Sequence, residues 1–304
     1  MKEVGKIWMN GKLVPFKDAK VHVLTHALHY STAVFEGIRC YKTPNGSAIF
    51  RLSEHVDRLF NSAKMYAMKM PYTKKQITDA IIKTVKASTL KECYIRPIAY
   101  YGYGKLGLTP TQNKVDCSIA CWEWKMGESK AGKFSGARCK ISSWVRIDST
   151  AQPMKAKAAS NYANAALARV EALRDGYDEA IMLNSQGKIA EGSAENIFIV
   201  KDDQILTPPL SADVLEGITR DSVIKIIEEN GGEVNETNVE RDDLYVADEV
   251  FMTGTAAEVK SVTEIDQAVI GNGKPGKITK ELQKAFTDVV MGKDERFLSW
   301  LHYV

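Results

Sequence analysis

The sequence predicts a mixed α/β (α+β) protein with two domains. Segments with alternating apolar residues, typical of strands, are interspersed with segments whose apolar residues recur every three or four positions, typical of helices. The 304 residues are enough for two ordinary domains, and Gly, Ser and Lys dominate one stretch, residues 125–137. We therefore predict a small N-terminal α/β domain over 1–124, an interdomain loop over 125–137, and a larger C-terminal α/β domain over 138–304.

Local patterns predict the elements of the N-terminal part. The stretch KIWMNGKLV indicates a β-hairpin, because Asn10-Gly11 suits a type I′ turn. A helix is predicted within RLSEHVDRLFNSAKMYAM, with Ser53 as its N-cap, and a second one over TKKQITDAIIKTVKAS. The segments ECYIRPIAYY and VDCSIACWEW predict two strands.

The C-terminal part begins with a predicted strand, RCKISSW. The helix predicted next ends near Gly176, and one of its faces consists of Ala163, Ala166, Leu167, Val170 and Leu173. Short antiparallel strands are predicted over 179–206. The segment GITRDSVIKIIEENGG predicts a helix that begins at Gly217 and ends at Gly231-Gly232.

Composition argues against several classes of protein. The net charge of +3 is small, so we expect no surface for nucleic acid or an anionic membrane. No apolar run is long enough to span a membrane, and the first residues show no signal-peptide pattern. The five cysteines are scattered without a CxxC pair, and Cys117 and Cys121 are expected in the core face of a strand. These features favour the cytoplasm.

Two motifs suggest other chemistry, and both are weak. Residues 102–107, GYGKLG, match the dinucleotide pattern G-x-G-x-x-G, but the following LTPTQNKV predicts a loop where pyrophosphate needs a helix. His22, His26 and His29 have a helical spacing that suits zinc, yet the sequence offers no evident fourth ligand. We expect hydrogen-bonded histidines and no metal site.

The stretch PMKAKAASNY contains two lysines, Lys155 and Lys157, among small residues just before a helix. Most lysines are solvated cations. A lysine in a tight, partly dry pocket instead holds a neutral amine, which is a nucleophile that forms Schiff bases. The residues alone leave open which of the two lysines has this role.

Two segments offer backbone N–H groups to an anion. In EGITRDS a helix start suits a phosphate, although ordinary helix capping explains it equally well. In FMTGTAAE a strand breaks at Gly254-Thr255, which leaves the N–H groups of Thr255 and Ala256 available. Two such sites and a Schiff-base lysine indicate pyridoxal phosphate as the cofactor. Its ring nitrogen requires a carboxylate, for which Glu191 and Glu195 are the candidates.

Seven motifs occur in an order that resembles the class IV (fold type IV) aminotransferases that use pyridoxal phosphate. They are HALHYSTAVFEGIRCY, EHVDRLFNSAK, YIRP, KAASNY, EGSAENIF, GITRD and GTAAE. Within that family the chain most resembles the bacterial branched-chain amino acid aminotransferases. The resemblance implies the two-domain, D-amino acid aminotransferase-like fold. It also implies a homodimer or dimer-based oligomer, with an active site between the domains that is partly built by the neighbouring subunit.

The resemblance implies roles for individual cofactor-binding residues. Lys157 matches the Schiff-base lysine, Tyr162 the tyrosine at the phenolic oxygen, and Glu191 the carboxylate at the pyridine nitrogen. The implied phosphate site and its flanking residues are Arg58, Gly217, Ile218, Thr219, Gly254 and Thr255, and Leu215 packs against the ring. Glu195 is expected to have a structural role.

Tyr94 and Arg96 lie two apart on a predicted strand, so their side chains share a face. They resemble the Tyr-x-Arg pattern of members that take L-amino acids, whereas D-amino acid transaminases show Arg-x-His. The resemblance places the substrate carboxylate at Tyr94, Thr255 and Ala256. The other implied substrate-binding residues are Tyr30, Phe35, Gly37, Arg39, Trp124 and Ala257, and the distal carboxylate of glutamate is expected at Arg96 and Tyr30.

The implied reaction is transamination of leucine, isoleucine and valine with 2-oxoglutarate, which gives branched 2-oxo acids and L-glutamate and serves amino-acid biosynthesis. Lys157 would act as acid and base in a ping-pong mechanism. Alternatives on the same fold are a D-amino acid or (R)-amine transaminase and an aminodeoxychorismate lyase. A nucleotide-dependent oxidoreductase and a non-catalytic anion-binding module are the alternatives outside it.

Two positions depart from the family pattern. Gly127 stands where close relatives carry a tyrosine that helps to hold the substrate. Ala159-Ser160 stands where relatives have Gly-Gly, a change that costs free energy if the backbone there needs a positive φ.

Overall fold

The computed structural model describes residues 5–124 and 136–304. Seven α-helices lie within these ranges: α1 (His26–Tyr30), α2 (Leu52–Met65), α3 (Lys74–Ser88), α4 (Ala159–Arg174), α5 (Ile218–Glu229), α6 (Arg241–Tyr245) and α7 (Lys277–Val290). Short 3-10 helices cover Phe16–Asp18, Pro110–Gln112 and Glu295–Trp300.

The described residues also form seventeen strands. They are β1 (Lys6–Met9), β2 (Lys12–Pro15), β3 (Ala33–Phe35), β4 (Ile38–Thr43), β5 (Gly46–Phe50), β6 (Cys93–Tyr101), β7 (Val115–Glu123), β8 (Ala137–Ile141), β9 (Glu179–Leu183), β10 (Ile189–Gly192), β11 (Asn196–Lys201), β12 (Gln204–Thr207), β13 (Val234–Glu236), β14 (Glu249–Gly254), β15 (Glu258–Ile265), β16 (Ala268–Val269) and β17 (Leu301–Tyr303).

The chain divides into two compact units. The first unit consists of Met1–Met126, Ala156–Ser160 and Val289–Val304, and the second of Gly127–Lys155 and Asn161–Asp288. This division differs from the predicted boundaries, because the short lysine segment and the C-terminus join the first unit. Strand β17 pairs with β5, and Ala158 forms a β-bridge with Val34. Most of the predicted loop, residues 125–135, lies outside the described residues.

The first unit contains an eight-stranded sheet in its described part. Its order is β17-β5-β4-β6-β7-β1-β2, and β3 pairs with β6. Helices α2 and α3 cover this sheet and share one apolar core with it, in which Leu59 and Ile81 meet Ile95 and Ile119. The predicted helices and strands of this part are thus confirmed, because each element contributes an apolar face to a common core.

Local rules explain most element boundaries in the first unit. Asn10 and Gly11 both have positive φ between β1 and β2, as the predicted hairpin turn requires. Thr73 and Gln76 form a capping box at the start of α3. The prediction of Ser53 as an N-cap is wrong, because α2 begins at Leu52 and its N-cap is Arg51. Arg51 is held there by its N–H bond to the Trp300 carbonyl, 2.7 Å long.

The second unit contains a nine-stranded sheet in its described part, with the order β10-β9-β8-β15-β14-β11-β12-β13 and β16 paired with β15. Most pairs are antiparallel, while β8 runs parallel to both β9 and β15, and β12 runs parallel to β13. One face carries an apolar core that includes Ile181, Ile197 and Val250. The predicted run of short strands over 179–206 corresponds to β9–β12.

Helix α4 packs through its smallest side chains. Ala165, Ala168 and Ala172 are buried against Ala180 and Met182 of β9, because small residues allow the helix to approach the sheet closely. The face predicted from Ala163, Ala166, Leu167, Val170 and Leu173 is exposed along its whole length. The apolar face of this helix is therefore available on the surface of the single chain.

The two weak motifs have structural roles within the first unit. His26 is buried and bonds Thr32 Oγ1 and the Gly107 carbonyl, each at 2.8 Å, so it joins α1 to the GYGKLG loop. A 3-10 turn, Pro110–Gln112, follows that loop instead of a nucleotide-binding helix. Among the described residues no group of ligating side chains could hold a metal ion. In the same ranges, no helix is both long and apolar enough for a membrane span.

Candidate active site

Both main-chain groups of Lys157, the N–H and the C=O, form hydrogen bonds within the first unit. Its N–H donates to Ser62 Oγ at 2.9 Å, and its carbonyl accepts the Phe35 N–H at 3.0 Å. The neighbouring Ala156 and Ala158 are buried in the core. The Lys157 side chain is half-buried, with Nζ 5.2 Å from the centre of the Phe35 ring. Small neighbours thus allow a lysine to be seated against the core.

Lys155 has a different environment, in the second unit. Its side chain is exposed, and Nζ lies 3.0 Å from Glu216, whose side chain is also exposed. Such a surface ion pair contributes little to stability. Of the two lysines in PMKAKAASNY, Lys155 is thus the solvated cation and Lys157 the partly buried amine.

Arg58 pairs with a buried carboxylate that the sequence did not single out. Its Nε and Nη2 donate to the two oxygens of Glu36 at 2.6 and 2.9 Å, and His55 Nδ1 lies 2.7 Å from Glu36 Oε2. His55 and Arg58 lie three apart on α2, so they occupy one face of that helix.

Tyr94 and Arg96 share a face of β6, as predicted. The Arg96 guanidinium lies 4.8 Å from the centre of the Phe35 ring and 5.4 Å from that of Tyr94. Trp122 stacks on Tyr94 with ring centres 4.9 Å apart, and Trp124 lies next to it at 5.5 Å. Four of the predicted substrate-binding residues therefore form one aromatic and cationic cluster.

Gly37 provides the space for Tyr94. A Cβ at this position would lie 1.9 Å from the Tyr94 hydroxyl. Arg39, two residues further on, is buried with its guanidinium 4.8 Å from the Tyr41 ring, and it pairs with Tyr94 in the sheet register. Tyr30 has other neighbours: its hydroxyl donates to the Leu106 carbonyl at 2.9 Å, and its ring packs against His26.

Ala159 and Ser160 begin α4, and neither has a positive φ. The departure from Gly-Gly therefore imposes no backbone strain here. Ser160 Oγ also lies 2.7 Å from the hydroxyl of Tyr66. Tyr162 follows in the first turn of α4 and is half-buried. Gly127 lies outside the described residues.

Glu191 is buried in the second unit and bonded at both oxygens. Arg146 Nη2 lies 2.5 Å from Oε1, while Asn196 Nδ2 and the Leu215 N–H donate to Oε2 at 2.9 and 3.1 Å. Asn196 also donates to the Leu215 carbonyl at 3.0 Å. An arginine–carboxylate contact is a strong charge-assisted one, and the three donors fix the orientation of the Glu191 carboxylate.

Glu195, the other candidate carboxylate, is half-buried and bonds the N–H of its neighbour Ala194 at 3.1 Å. This contact is local and suits the structural role expected of it. Glu191 bonds both Arg146 and Asn196 within a buried network.

The predicted phosphate-binding segment is the start of α5. Gly217 is the N-cap and has no side chain with which to cap the helix, and Ile218 and Thr219 are buried. Gly217 also makes room for Asn196, because a Cβ there would lie 1.9 Å from Asn196 Oδ1. The first N–H groups of α5 are therefore donors suited to an anion.

The second anion-binding segment follows β14. The strand ends at Gly254, and residues 255–257, Thr-Ala-Ala, form a turn before β15. Thr253, the register partner of Asn196, is buried, and its Oγ1 has no hydrogen-bond partner in the described ranges. An unsatisfied buried hydroxyl indicates a missing partner.

Sequence reasoning missed several residues that position the predicted ones. They are Glu36, His55, Ser62, Trp122, Arg146 and Asn196. Three were detectable, because Trp122 has the strand parity of Trp124 and because His55 and Ser62 lie within one helical turn of Arg58. No local sequence pattern identifies Arg146 and Asn196, because their contacts with Glu191 form only in the tertiary structure.

Comparisons with known proteins agree on one family. The family model described as amino-transferase class IV matches residues 33–265. The branched-chain-amino-acid aminotransferase of Pseudomonas aeruginosa is 44% identical over 296 residues, which cover 97% of this chain and 96% of the relative.

Two solved structures of the T.th. branched-chain amino acid aminotransferase are 46% identical to the chain and cover 100% of it and 99% of theirs. One contains pyridoxamine 5′-phosphate and superposes with a TM-score of 0.97. The other, with N-(5′-phosphopyridoxyl)-L-glutamate, superposes with a TM-score of 0.95. Because the family model covers most of the chain and these relatives match its full length, the protein belongs to the class IV aminotransferase family.

Proposed function

We propose that this chain is a pyridoxal-phosphate-dependent transaminase that transfers the amino group of branched-chain L-amino acids to 2-oxoglutarate. The observation that carries the proposal is the seating of Lys157, whose main chain is bonded at both N–H and C=O while its amine stays half-buried. The full-length likeness to branched-chain aminotransferases supports the same conclusion.

The residues fit pyridoxal phosphate. Its aldehyde requires an amine, for which Lys157 is suited. Its phosphate requires donors, which the first N–H groups of α5 offer. Its ring nitrogen requires a carboxylate, which Glu191, paired with Arg146, supplies. Arg58 would add a guanidinium at the phosphate.

When bound, this cofactor supplies a carbonyl and an electron-withdrawing ring that take up and return an amino group. The chain supplies the acid–base chemistry. The Lys157 amine removes a proton from the substrate Cα and returns one on the way back, while its bonded main chain limits where Nζ can reach. Glu191 would accept a hydrogen bond from the ring nitrogen of the bound cofactor, and Tyr162 would donate one to its phenolic oxygen.

The cluster around Tyr94 suits both substrates. The walls formed by Phe35 and Trp124 accept aliphatic side chains, and Tyr94 binds the α-carboxylate. Arg96 supplies the charge for the distal carboxylate of 2-oxoglutarate and glutamate. The Arg96 guanidinium lies over the rings of Phe35 and Tyr94. The charge can therefore pair with a distal carboxylate, while the rings offer an apolar surface to an aliphatic side chain.

The visible absorption spectrum of the purified protein, supplied with pyridoxal phosphate, tests this function. We expect an absorption band of bound cofactor that L-leucine bleaches and 2-oxoglutarate restores. Bleaching by D-alanine or an aryl amine alone would retain the family and refute the substrate assignment. If no band forms, the assignment of Lys157 is wrong.

We also propose that the protein acts as a homodimer or dimer-based oligomer. The first unit exposes a set of large apolar side chains around α1 and the GYGKLG loop, namely Val21, Val23, Leu24, Leu28, Tyr30, Tyr103, Leu106 and Leu108. An exposed apolar surface of this kind suits a second copy of the chain.

Light scattering tests the assembly. We expect at least twice the mass of one chain, and a lower mass for Leu108→Glu than for Val269→Glu, which alters an exposed residue of the second unit. A monomeric native protein would contradict the proposal. For localisation we propose the cytoplasm, because all five cysteines are free thiols; fractionation of cells tests this.

A further inference from the structure

The carboxylate of Glu36 is fully buried, with 0% of its side chain exposed, between two side chains of α2. Arg58 bonds it through Nε and Nη2, and His55 lies at hydrogen-bond distance from Oε2. Glu36 also accepts the N–H of Gly37 at 3.3 Å. Desolvating a carboxylate is costly, and an apolar side chain could fill the same volume. A buried charge of this kind therefore calls for a functional explanation.

Charge balance in this cluster is complete. Burial would raise the pKa of Glu36, but Arg58 and His55 outweigh that effect and hold the pKa well below its usual range, so the carboxylate is ionised. Burial lowers the pKa of His55 despite the adjacent Glu36, so the imidazole is neutral and donates through Nδ1. One negative and one positive charge remain, and they belong to Glu36 and Arg58.

The geometry constrains Arg58 more than the charge balance requires. A side-on pair through Nε and Nη2 fixes the plane of the guanidinium and hence the position of Nη1. Arg58 retains 11% side-chain exposure, whereas Glu36 has none. The arginine is thus held from its buried side, and the same helix face carries Ser62, which binds the main chain of Lys157.

We propose that Glu36 is a positioning residue for the cofactor phosphate: it orients the Arg58 guanidinium so that Arg58 binds the phosphate, with His55 holding the second carboxylate oxygen in place. This inference rests on the proposed function, since it takes Arg58 to be a phosphate ligand. According to this proposal, Glu36 raises the affinity for the phosphate group without contacting it.

The dissociation constants of pyridoxal phosphate and pyridoxal, measured by cofactor absorbance on the apoprotein, test the inference. Pyridoxal lacks the phosphate, so the ratio of the two constants isolates the phosphate contribution. For Glu36→Gln we expect the dissociation constant of pyridoxal phosphate to rise by about tenfold, the effect of one misaligned charge-assisted hydrogen bond, while that of pyridoxal stays unchanged. Glu36→Asp should raise it by less, because the charge is kept and only the reach is shortened.

Two further variants make the result decisive. Glu54→Gln removes the carboxylate of another arginine pair on α2, the one with Arg51, and should leave both constants unchanged. Arg58→Gln tests the proposed function, because it should weaken the binding of pyridoxal phosphate and leave that of pyridoxal unchanged.

If Arg58→Gln shows no selective loss, the phosphate assignment of Arg58 fails. If it does, but Glu36→Gln weakens both ligands equally or neither, the positioning role is overturned. Should Glu36→Gln fail to fold, as judged by circular dichroism, Glu36→Asp decides by the same ratio.

Discussion

Ser62 Oγ accepts the backbone N–H of Lys157 at 2.9 Å, although the two residues are 95 positions apart in the chain. Helix α2 thereby holds the lysine segment with the same face that carries Arg58. One turn further along, Tyr66 reaches Ser160 at 2.7 Å. The residues at 58, 62 and 66 thus form a polar stripe on α2 that contacts Glu36 and the lysine segment within the first unit.

This relationship predicts the effect of Ser62→Ala. The variant leaves the Lys157 N–H without its acceptor, which costs about 1–3 kcal/mol of stability because the group is buried. We also expect a lower kcat with little change in KM, since the Lys157 main chain is no longer anchored and the position of Nζ becomes less defined. Urea unfolding and steady-state kinetics measure both quantities.

Ser88→Ala is the matched control, because Ser88 is buried in α3, donates to the Val85 carbonyl and accepts the Leu90 N–H at 3.3 Å, both close to it in the chain. It should leave kcat unchanged. An equal fall of kcat in both variants would remove Ser62 from the positioning of Lys157.

Substitutions of the two lysines of PMKAKAASNY should have opposite effects on catalytic activity: one abolishes it and the other retains most of it. Lys157→Ala is expected to abolish turnover, because it removes the acid–base amine. Lys155→Ala loses only a surface ion pair with Glu216, worth about 0–1 kcal/mol, and should retain most activity. Transamination of L-leucine measures both, and equal losses would contradict the assignment.

Gly217→Ala should disturb Glu191 indirectly. The added Cβ would lie 1.9 Å from Asn196 Oδ1, so Asn196 must move and its bond to Glu191 is strained. We expect stability to fall by about 1–3 kcal/mol, as for an overpacked core site, and cofactor affinity to fall with it. Thermal unfolding of apoprotein and holoprotein separates the two effects.

Gly107→Ala serves as the control here. Apart from its chain neighbours, no atom of residues 5–124 or 136–304 lies within 4 Å of the position of its Cβ, and its φ is not positive, so stability should change by less than about 0.5 kcal/mol. A Gly217→Ala protein as stable as this control would show that Asn196 relaxes without cost.

His55 should make the protein sensitive to mild acid. Burial lowers its pKa in the folded state, with Arg58 and Lys157 adding to this effect and Glu36 opposing it. Below pH 6.5, the ordinary value, the unfolded chain takes up a proton that the folded protein does not, so stability falls as the pH decreases. The contribution is fully present above pH 6.5 and is lost below it, by at most about 1.4 kcal/mol per pH unit.

His55→Asn keeps a donor toward Glu36 and removes the titration. Its free energy of unfolding, measured in urea between pH 7 and pH 5, should therefore vary less with pH than that of the native protein. Parallel pH profiles of the two proteins would show that His55 is not the responsible group.

Local chemistry explains which elements were predictable. The hairpin at Asn10-Gly11 and the capping box at Thr73 depend only on neighbouring residues, so the sequence alone predicts them. The N-cap of α2 was mispredicted because Arg51 is held by Trp300, which is distant in the chain. The apolar residues predicted for α4 share one face, but that face is exposed, and the periodicity does not reveal that Ala165 and Ala168, not Leu167, pack against the sheet.

The sequence by itself determined the family, several of the helices and strands, and the residues whose types carry the chemistry, because motif order and hydrophobic period are local properties of the chain. Only the tertiary structure distinguished the environments of Lys155 and Lys157 and brought Glu36 to Arg58 and Arg146 to Glu191. The physical reason is that these pairs are joined by hydrogen bonds across buried space. Whether a charge there is stabilised depends on partners that approach only when the sheets and helices pack.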